Sequence, residues 1–167
     1  MILVTVGTAP SGWPALVDVV EDFCRARRLP GFAQVGNAGR VPEAIEWARF
    51  VPHDRLQSLM REAALVVSHG GFGSLGDLLR NAHRVVVVPR RPRSRAERSL
   101  HPNDQWPVAR RLAGLHGFSV CTLLDLPDTM AESLSGPPRH FVVPPSDIPL
   151  LVRDHLTEVV RAGGAAR

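Results

Sequence analysis

The chain has 167 residues, 44% of them hydrophobic and 22% charged, which is the composition of one ordinary globular domain. We therefore predict a single domain over residues 1–167, with residues 162–167 as a disordered tail. Every apolar run is much shorter than the roughly 18 residues of a membrane span, and the first run lacks a basic flank. These features predict a cytoplasmic protein. Cys24 and Cys121 lie outside any CxxC pair and are expected to be free thiols in the core.

All 20 basic residues are arginine, and the formal net charge is +4. The arginines cluster at residues 25–28, 90–95 and 110–111. Arginine-rich faces bind nucleic acid, anionic membranes or phosphate ligands, but a solvated surface in a chain rich in Ala, Gly and Pro is an equal alternative. Because the sequence contains no recognised nucleic-acid-binding module, we predict no nucleic-acid partner.

Predicted strands and helices alternate along the chain. A strand over residues 2–6 is followed by a turn and a helix over 14–28, whose apolar residues recur at helical spacing. The continuous apolar run at 64–67 is typical of a parallel strand buried on both faces, and it ends in a glycine-rich loop over 68–74. The remaining predicted elements are strands 32–35 and 45–51, helix 53–63, a helix after the glycine loop to about 82, strand 84–89, helix 103–115, strand 118–123, and helices 127–134 and 146–161.

This alternation predicts an α/β fold, a Rossmann-like parallel sheet with helices on both faces. In such sheets ligands bind outside the carboxyl ends of the strands. We therefore expect the functional site on one rim, formed by residues 7–11, 36–37, 51–53, 69–74 and 89–104.

The segment His69-Gly70-Gly71-Phe72-Gly73-Ser74 lies between a buried strand and a predicted helix. Glycines without Cβ atoms let the backbone approach a ligand, and the first N–H groups of a helix attract an anion. A phosphate or diphosphate is the natural occupant, and a tight turn without a ligand is the alternative.

The same loop contains Gly71-x-Gly73-x-x-Gly76, which matches the dinucleotide-binding fingerprint. Arg90 and Arg91 follow the next strand, where a group that binds the 2′-phosphate of NADP is expected. An NADP-binding oxidoreductase fragment is therefore a rival interpretation. It is disfavoured because a dinucleotide fold usually carries this loop after its first strand, whereas several strands precede it here.

A longer pattern distinguishes these interpretations. It comprises the opening VTVGT, His69-x-Gly71-x-x-Ser74-x-x-Asp77, the VVVPRR run and Asp104-Gln105 at a helix start. Together these motifs resemble the glycosyltransferase family 28 C-terminal domain, the donor-binding half of a GT-B fold, in its stand-alone form. Such chains include catalytic subunits of two-chain exopolysaccharide glycosyltransferases and UDP-GlcNAc transferases. The resemblance covers roughly residues 1–125.

The resemblance implies a role for each matching position. The first loop would face the phosphates, the backbone near Phe50 and Val51 would bind uracil, and the glycine loop would hold the diphosphate. Asp77 would accept hydrogen bonds from the ribose, and Asp104 and Gln105 would bind the donor sugar. His69 is expected either to contact phosphate or to cap its loop. The implied donor-binding residues are Gly7, Thr8, Val51, His69, Gly70, Gly71, Gly73, Ser74, Asp77, Arg90, Asp104 and Gln105.

Three features depart from the family pattern. Asp77 stands where the family usually has glutamate, one methylene longer. The segment from His101 to Gln105 is one residue shorter than usual, and the loop over residues 90–95 is unusually basic. That loop is expected to bind either a donor phosphate or a lipid diphosphate acceptor.

The resemblance implies transfer of a sugar from a UDP-sugar to a lipid-linked acceptor in polysaccharide synthesis. A membrane-associated partner subunit would bind the acceptor and recruit this chain to the inner face of the membrane. The general base is expected on that subunit, with His69 as the alternative. Trp13, just after the first loop, is the residue we expect at such an interface. No cofactor or metal is implied, because the glycine loop and helix N-terminus would stabilise the diphosphate leaving group. A non-catalytic scaffold is a further alternative.

Overall fold

The computed structural model describes residues 1–10, 12–92 and 104–142, together with 150, 152–153 and 155–157. Within these residues the predicted alternation of strands and helices is present. The strands are β1 (Ile2–Thr5), β2 (Gly31–Gln34), β3 (Glu46–Ala48), β4 (Leu65–Ser68), β5 (Val85–Val87) and β6 (Ser119–Val120). The helices are α1 (Pro14–Arg27), α2 (His53–Glu62), α3 (Phe72–Asn81), α4 (Trp106–His116) and α5 (Leu126–Ser135).

The strands form one sheet in the order β3-β2-β1-β4-β5-β6, and every neighbouring pair is parallel. The chain builds outward from β1 to β3 and then crosses back to place β4 on the other side of β1. In sheets of this kind, ligands bind where the strand order reverses, which here is between the loops that follow β1 and β4. The predicted fold class, a Rossmann-like parallel sheet, is confirmed.

Helices cover both faces of the sheet, as predicted. Helices α1 and α5 pack on one face around Leu16, Val20 and Met130, while α2, α3 and α4 pack on the other around Met60 and Leu78. Residues of β1 and β4 alternate between these two cores because successive side chains of a strand point to opposite faces. The central strands are therefore apolar up to their last residues, Thr5 and Ser68, because both of their faces are covered.

Several predicted elements have other boundaries in the structure. Strands expected over 45–51 and 118–123 are confined to Glu46–Ala48 and Ser119–Val120, because β3 and β6 are edge strands with a hydrogen-bonding neighbour on one side only. The glycine loop is also shorter than expected, since α3 begins at Phe72. Gly71 is the N-cap of this helix, with an extended backbone, and the residues after it are already helical.

Both cysteines are free and buried, as predicted. The expected helix over 146–161 and the tail over 162–167 lie mostly outside the described residues, but Leu150, Val152, Arg153 and residues 155–157 are helical. Over the ranges that the structure describes, no helix has the length and apolar character needed to cross a bilayer.

Candidate functional site

The carboxyl ends of the central strands meet at one edge of the sheet. Thr5, the last residue of β1, is in register with Gln34 of β2 on one side and Ser68 of β4 on the other. Ser68 is in turn in register with Val87 of β5. The loops that follow these strands therefore begin side by side, which forms the rim predicted from the sequence. Residues 93–103 and Ser11, which were also predicted to lie there, are outside the described residues.

A buried polar pair holds the first loop of the rim. The Thr5 hydroxyl donates a hydrogen bond of 2.6 Å to Oε1 of Gln34, and both side chains are almost inaccessible to solvent. The Gln34 amide donates to the carbonyls of Gly7 and Arg49 at 3.2 and 3.1 Å. Asn37 donates to the carbonyls of Thr8 and Ala9. The backbone of the β1 loop is thus fixed from the β2 side.

Replacing Gln34 with Met is expected to lower the free energy of unfolding by about 2 kcal/mol, because it leaves the buried Thr5 hydroxyl and the Gly7 carbonyl without this partner. Met is similar in length, so little volume is lost. Urea denaturation measures the change, with Gln57→Met on α2 as the control, since the hydrogen bond between Gln57 and His53 is exposed. Equal stability of the two variants would contradict a structural role for Gln34.

His69 lies buried beneath two glycines of the rim. Only 8% of this residue is exposed to solvent. A Cβ atom added to Gly7 would lie 2.6 Å from Cε1 of His69, and one added to Gly71 would overlap Nε2. Gly7 also has a φ of +71°, which side chains rarely adopt. The imidazole thus occupies the space that side chains at these two positions would need, and it brings the loops after β1 and β4 together.

The environment of His69 disfavours its charged form. Burial lowers the pKa of His69 to about 4, and the nearby positive charge of Arg90 acts in the same direction, against a smaller opposing effect of a backbone hydrogen bond with Thr5. His69 is therefore neutral near pH 7. It contributes shape and hydrogen-bonding capacity to the rim, while the nearby positive charge belongs to Arg90.

The first turn of α3 points its N–H groups toward the rim. No side chain caps this helix, so the N–H groups of Phe72, Gly73 and Ser74 have no side-chain partner of that kind. Ser74 is half-buried, whereas Gly73 is exposed and a Cβ there would meet nothing within 4 Å. Gly70 is buried, with a φ of +80°, against Val87 and Pro89. This geometry suits an anion.

Asp77 lies farther along α3, beside the start of α2. Its Oδ2 is 3.8 Å from Nδ1 of His53, the first residue of α2, and the Asp77 side chain is 22% exposed. Val51, just before α2, is half-buried and packs against the core. The loop after β3 and the middle of α3 therefore meet at a partly open position. His53 belongs to no motif in the sequence, and only the fold places it next to Asp77.

The remaining predicted residues group around the end of β5. Arg90 is buried, and its guanidinium donates to the carbonyls of Gly12 and Val6. Gln105 pairs with the Arg90 backbone, and Asp104 lies 3.7 Å from Arg91 while its Oδ1 accepts a hydrogen bond from the N–H of Trp106. The predicted site residues thus form three groups: the loops around His69, the Asp77 region, and the Arg90–Gln105 connection.

Two contacts important to the rim have no signal in the sequence alone. Gln34 belongs to no motif and is marked only as a polar residue in an apolar strand. Trp13, expected at a partner interface, packs half-buried on the core, and its ring centre lies 5.1 Å from the Arg90 guanidinium carbon, a contact that no sequence pattern predicts. Among the described residues, no three His, Cys, Asp or Glu side chains converge in a manner that would hold a metal ion.

Comparison with known proteins gives a family and a fold. Residues 1–136 match the glycosyltransferase family 28 C-terminal domain. No curated protein matches the sequence. Three solved structures share the fold: the glycotransferase of kitacinnamycin (TM-score 0.58, 20% identity), the calicheamicin glycosyltransferase CalG4 (0.59, 18%) and MurG of Acinetobacter baumannii (0.57, 18%).

The similarity covers 80%, 80% and 81% of this chain but only 33%, 32% and 42% of those three chains. The chain therefore spans less than half the length of each structure that it resembles. At these identities the likeness concerns the fold, whereas the sequence match concerns the family. The sequence match extends from β1 through α5. The chain therefore belongs to the glycosyltransferase family 28 C-terminal domain family.

Proposed function

We propose that this chain is the donor-binding part of a UDP-sugar-dependent glycosyltransferase. The observation that carries the proposal is the rim around His69, where two glycine-containing loops and the uncapped start of α3 converge. This arrangement presents backbone N–H groups to an anion at the crevice of the sheet. Membership of a glycosyltransferase family makes the diphosphate of a nucleotide sugar the appropriate anion.

The donor would extend along the rim from this diphosphate site. Its uracil would contact the backbone near Phe50 and Val51, and its ribose hydroxyls would donate to Asp77, which the fold places next to the start of α2. Gly7, Thr8 and the α3 N-terminus would surround the phosphates, with Asp104 and Gln105 near the sugar. Because backbone dipoles stabilise the leaving diphosphate, the proposal requires no metal or other cofactor.

We further propose that the acceptor is a lipid-linked sugar bound by a separate, membrane-associated subunit, and that this subunit recruits the chain to the cytoplasmic face of the membrane. The support is the resemblance to stand-alone family members of two-chain transferases. The general base would lie on that subunit, because burial and the charge of Arg90 lower the pKa of His69 to about 4, which makes it a weak base near pH 7, and Gly7 and Gly71 cover its imidazole. Sugar transfer that requires co-expression of such a subunit would test this assignment.

The proposal is tested by calorimetric titration of the wild type and of Asp77→Ala with UDP, and separately with NADP. We expect saturable binding of UDP by the wild type and binding weaker by about ten- to a hundred-fold in Asp77→Ala, because a carboxylate that accepts hydrogen bonds from hydroxyls contributes about 1.5–3 kcal/mol. Asp77→Asn keeps the shape and an acceptor and should lose less affinity. Asp22→Ala, at an exposed ion pair on α1, is the matched control and should bind normally.

The possible outcomes separate the alternatives. Binding of NADP but not of UDP would contradict the donor-site proposal and favour the oxidoreductase interpretation. UDP binding that Asp77→Ala leaves unchanged would retain the nucleotide site but contradict the ribose contact. If neither nucleotide binds to a folded wild type, the scaffold interpretation is favoured.

A further inference from the structure

Arg90 is buried although it opens a strongly basic segment. Only 7% of the residue is exposed. Its Nη2 donates to the carbonyl of Gly12 at 2.9 Å and to that of Val6 at 3.4 Å, and its guanidinium carbon lies 5.1 Å from the centre of the Trp13 ring. Val6 precedes the β1 loop, and Trp13 is the N-cap of α1. One guanidinium therefore contacts both ends of the loop that contains Gly7 and Thr8.

The backbone of Arg90 connects the same point to α4. Its N–H donates to Oε1 of Gln105 at 3.1 Å, and its carbonyl accepts from the N–H of Gln105 at 3.0 Å. Gln105 is the N-cap of α4. Arg90 also acts electrostatically on His69, which lies between the β1 and β4 loops. A single residue thus connects the loops after β1 and β5 with the start of α4.

We propose that Arg90 is a positioning residue of the donor site, whose buried guanidinium holds the β1 loop in place for the donor diphosphate. This inference rests on the proposed function and replaces direct donor binding as the role of Arg90. Burying a guanidinium is unfavourable unless its charge and donors find partners, and here the carbonyls of Gly12 and Val6 accept from Nη2 and the Trp13 ring lies 5.1 Å from the guanidinium carbon. Lysine lacks the planar set of donors, so it can supply the charge without the same geometry.

Amide hydrogen exchange of the ligand-free protein tests the structural part of this proposal. We expect Arg90→Met to accelerate exchange at least ten-fold at Gly12, whose N–H donates to the Ala9 carbonyl, and at Leu16 in the first turn of α1. Arg110→Met, at an exposed position of α4, is the matched control and should leave these rates unchanged. Unchanged exchange in Arg90→Met would overturn the proposal.

UDP affinity and the titration of His69 test the functional part. Arg90→Met is expected to weaken UDP binding at least ten-fold and to raise the pKa of His69, measured by NMR of the imidazole. Arg90→Lys should keep the pKa of His69 low, because the charge remains, but should not restore UDP affinity. Wild-type affinity in Arg90→Lys would show that the charge alone suffices, and wild-type affinity in Arg90→Met would show that neither the charge nor the planar geometry is needed. Either result would overturn a positioning role.

Trp13→Leu provides a second test of the proposal, and UDP binding by the wild type provides a separate test of the proposed function. If Arg90→Met does not fold, Trp13→Leu, which removes the ring beneath the guanidinium, should accelerate exchange at Gly12 and weaken UDP binding. Unchanged values there would overturn the proposal. A folded wild type that binds no UDP contradicts the proposed function, and the donor role of Arg90 with it. Wild-type binding that Arg90→Met leaves intact contradicts the Arg90 proposal alone.

Discussion

Substituting Gly71 with Ala is expected to destabilise the protein by about 1–3 kcal/mol, with the loss traced to one neighbour, His69. The backbone at Gly71 has a φ of −62° and a ψ of 141°, which any residue adopts, so alanine meets no conformational penalty there. Its Cβ would instead overlap Nε2 of the buried imidazole. Urea denaturation of Gly71→Ala, His69→Ala and the double variant measures this coupling.

In the His69→Ala background the destabilisation by Gly71→Ala should fall to about 1 kcal/mol or less. This remaining effect reflects the preference for glycine over alanine at an N-cap. Gly7→Ala is the matched comparison, because its Cβ would also meet the imidazole but its φ of +71° is strained for any side chain. Gly7→Ala should therefore keep about 1–2 kcal/mol of its destabilisation without His69. Additive effects of Gly71→Ala and His69→Ala would contradict the packing of the imidazole under this loop.

Lowering the pH from 7 to 4 is expected to remove about 3 kcal/mol of stability through His69 alone. The pKa of His69 is lowered from 6.5 to about 4 in the folded protein, so the unfolded chain binds more protons between these values. This stability is fully present above pH 6.5 and is lost as the pH falls toward 4. Denaturant midpoints measured at several pH values across this window give the slope.

His69→Gln isolates the contribution of the imidazole from those of the carboxylates, which titrate in both proteins. The variant is expected to lose stability less steeply between pH 6.5 and 4, although it starts from a lower value at pH 7. The same slope in wild type and variant would show that His69 is not held neutral by the fold. Glutamine is preferred over alanine here because it leaves a smaller cavity beneath Gly7 and Gly71.

His69 and Arg90 together form one structural feature of the proposed site. A neutral imidazole fills the space under the glycines, and the charge of Arg90 lies buried next to it. A donor diphosphate over these loops would thus meet backbone N–H groups first and a buried positive charge behind them. Such fixed dipoles and charges need no rearrangement when negative charge develops on a leaving group.

Much of the fold followed from local sequence. Apolar runs such as residues 64–67, separated by helical periodicity, predicted a parallel sheet with helices on both faces, and the strand order agrees. The site edge followed too, because the carboxyl ends of parallel strands share one edge. The glycine loop and the spacing from His69 to Asp77 identified the family, which the match over residues 1–136 confirms. The roles of individual donor-binding residues stay predictions.

Only the tertiary structure decided how the rim is held together. Gln34 fixes Gly7 from 27 residues away, and Arg90 reaches Gly12 across 78, so no local pattern announces either contact. The sequence predicts that Arg90 binds the donor or belongs to a solvated arginine cluster, because charge in a sequence carries no information about burial. The neutral state of His69 depends on its own burial and on the nearby charge of Arg90. Periodicity reports local backbone geometry, whereas burial and pKa depend on contacts that exist only once distant segments pack together.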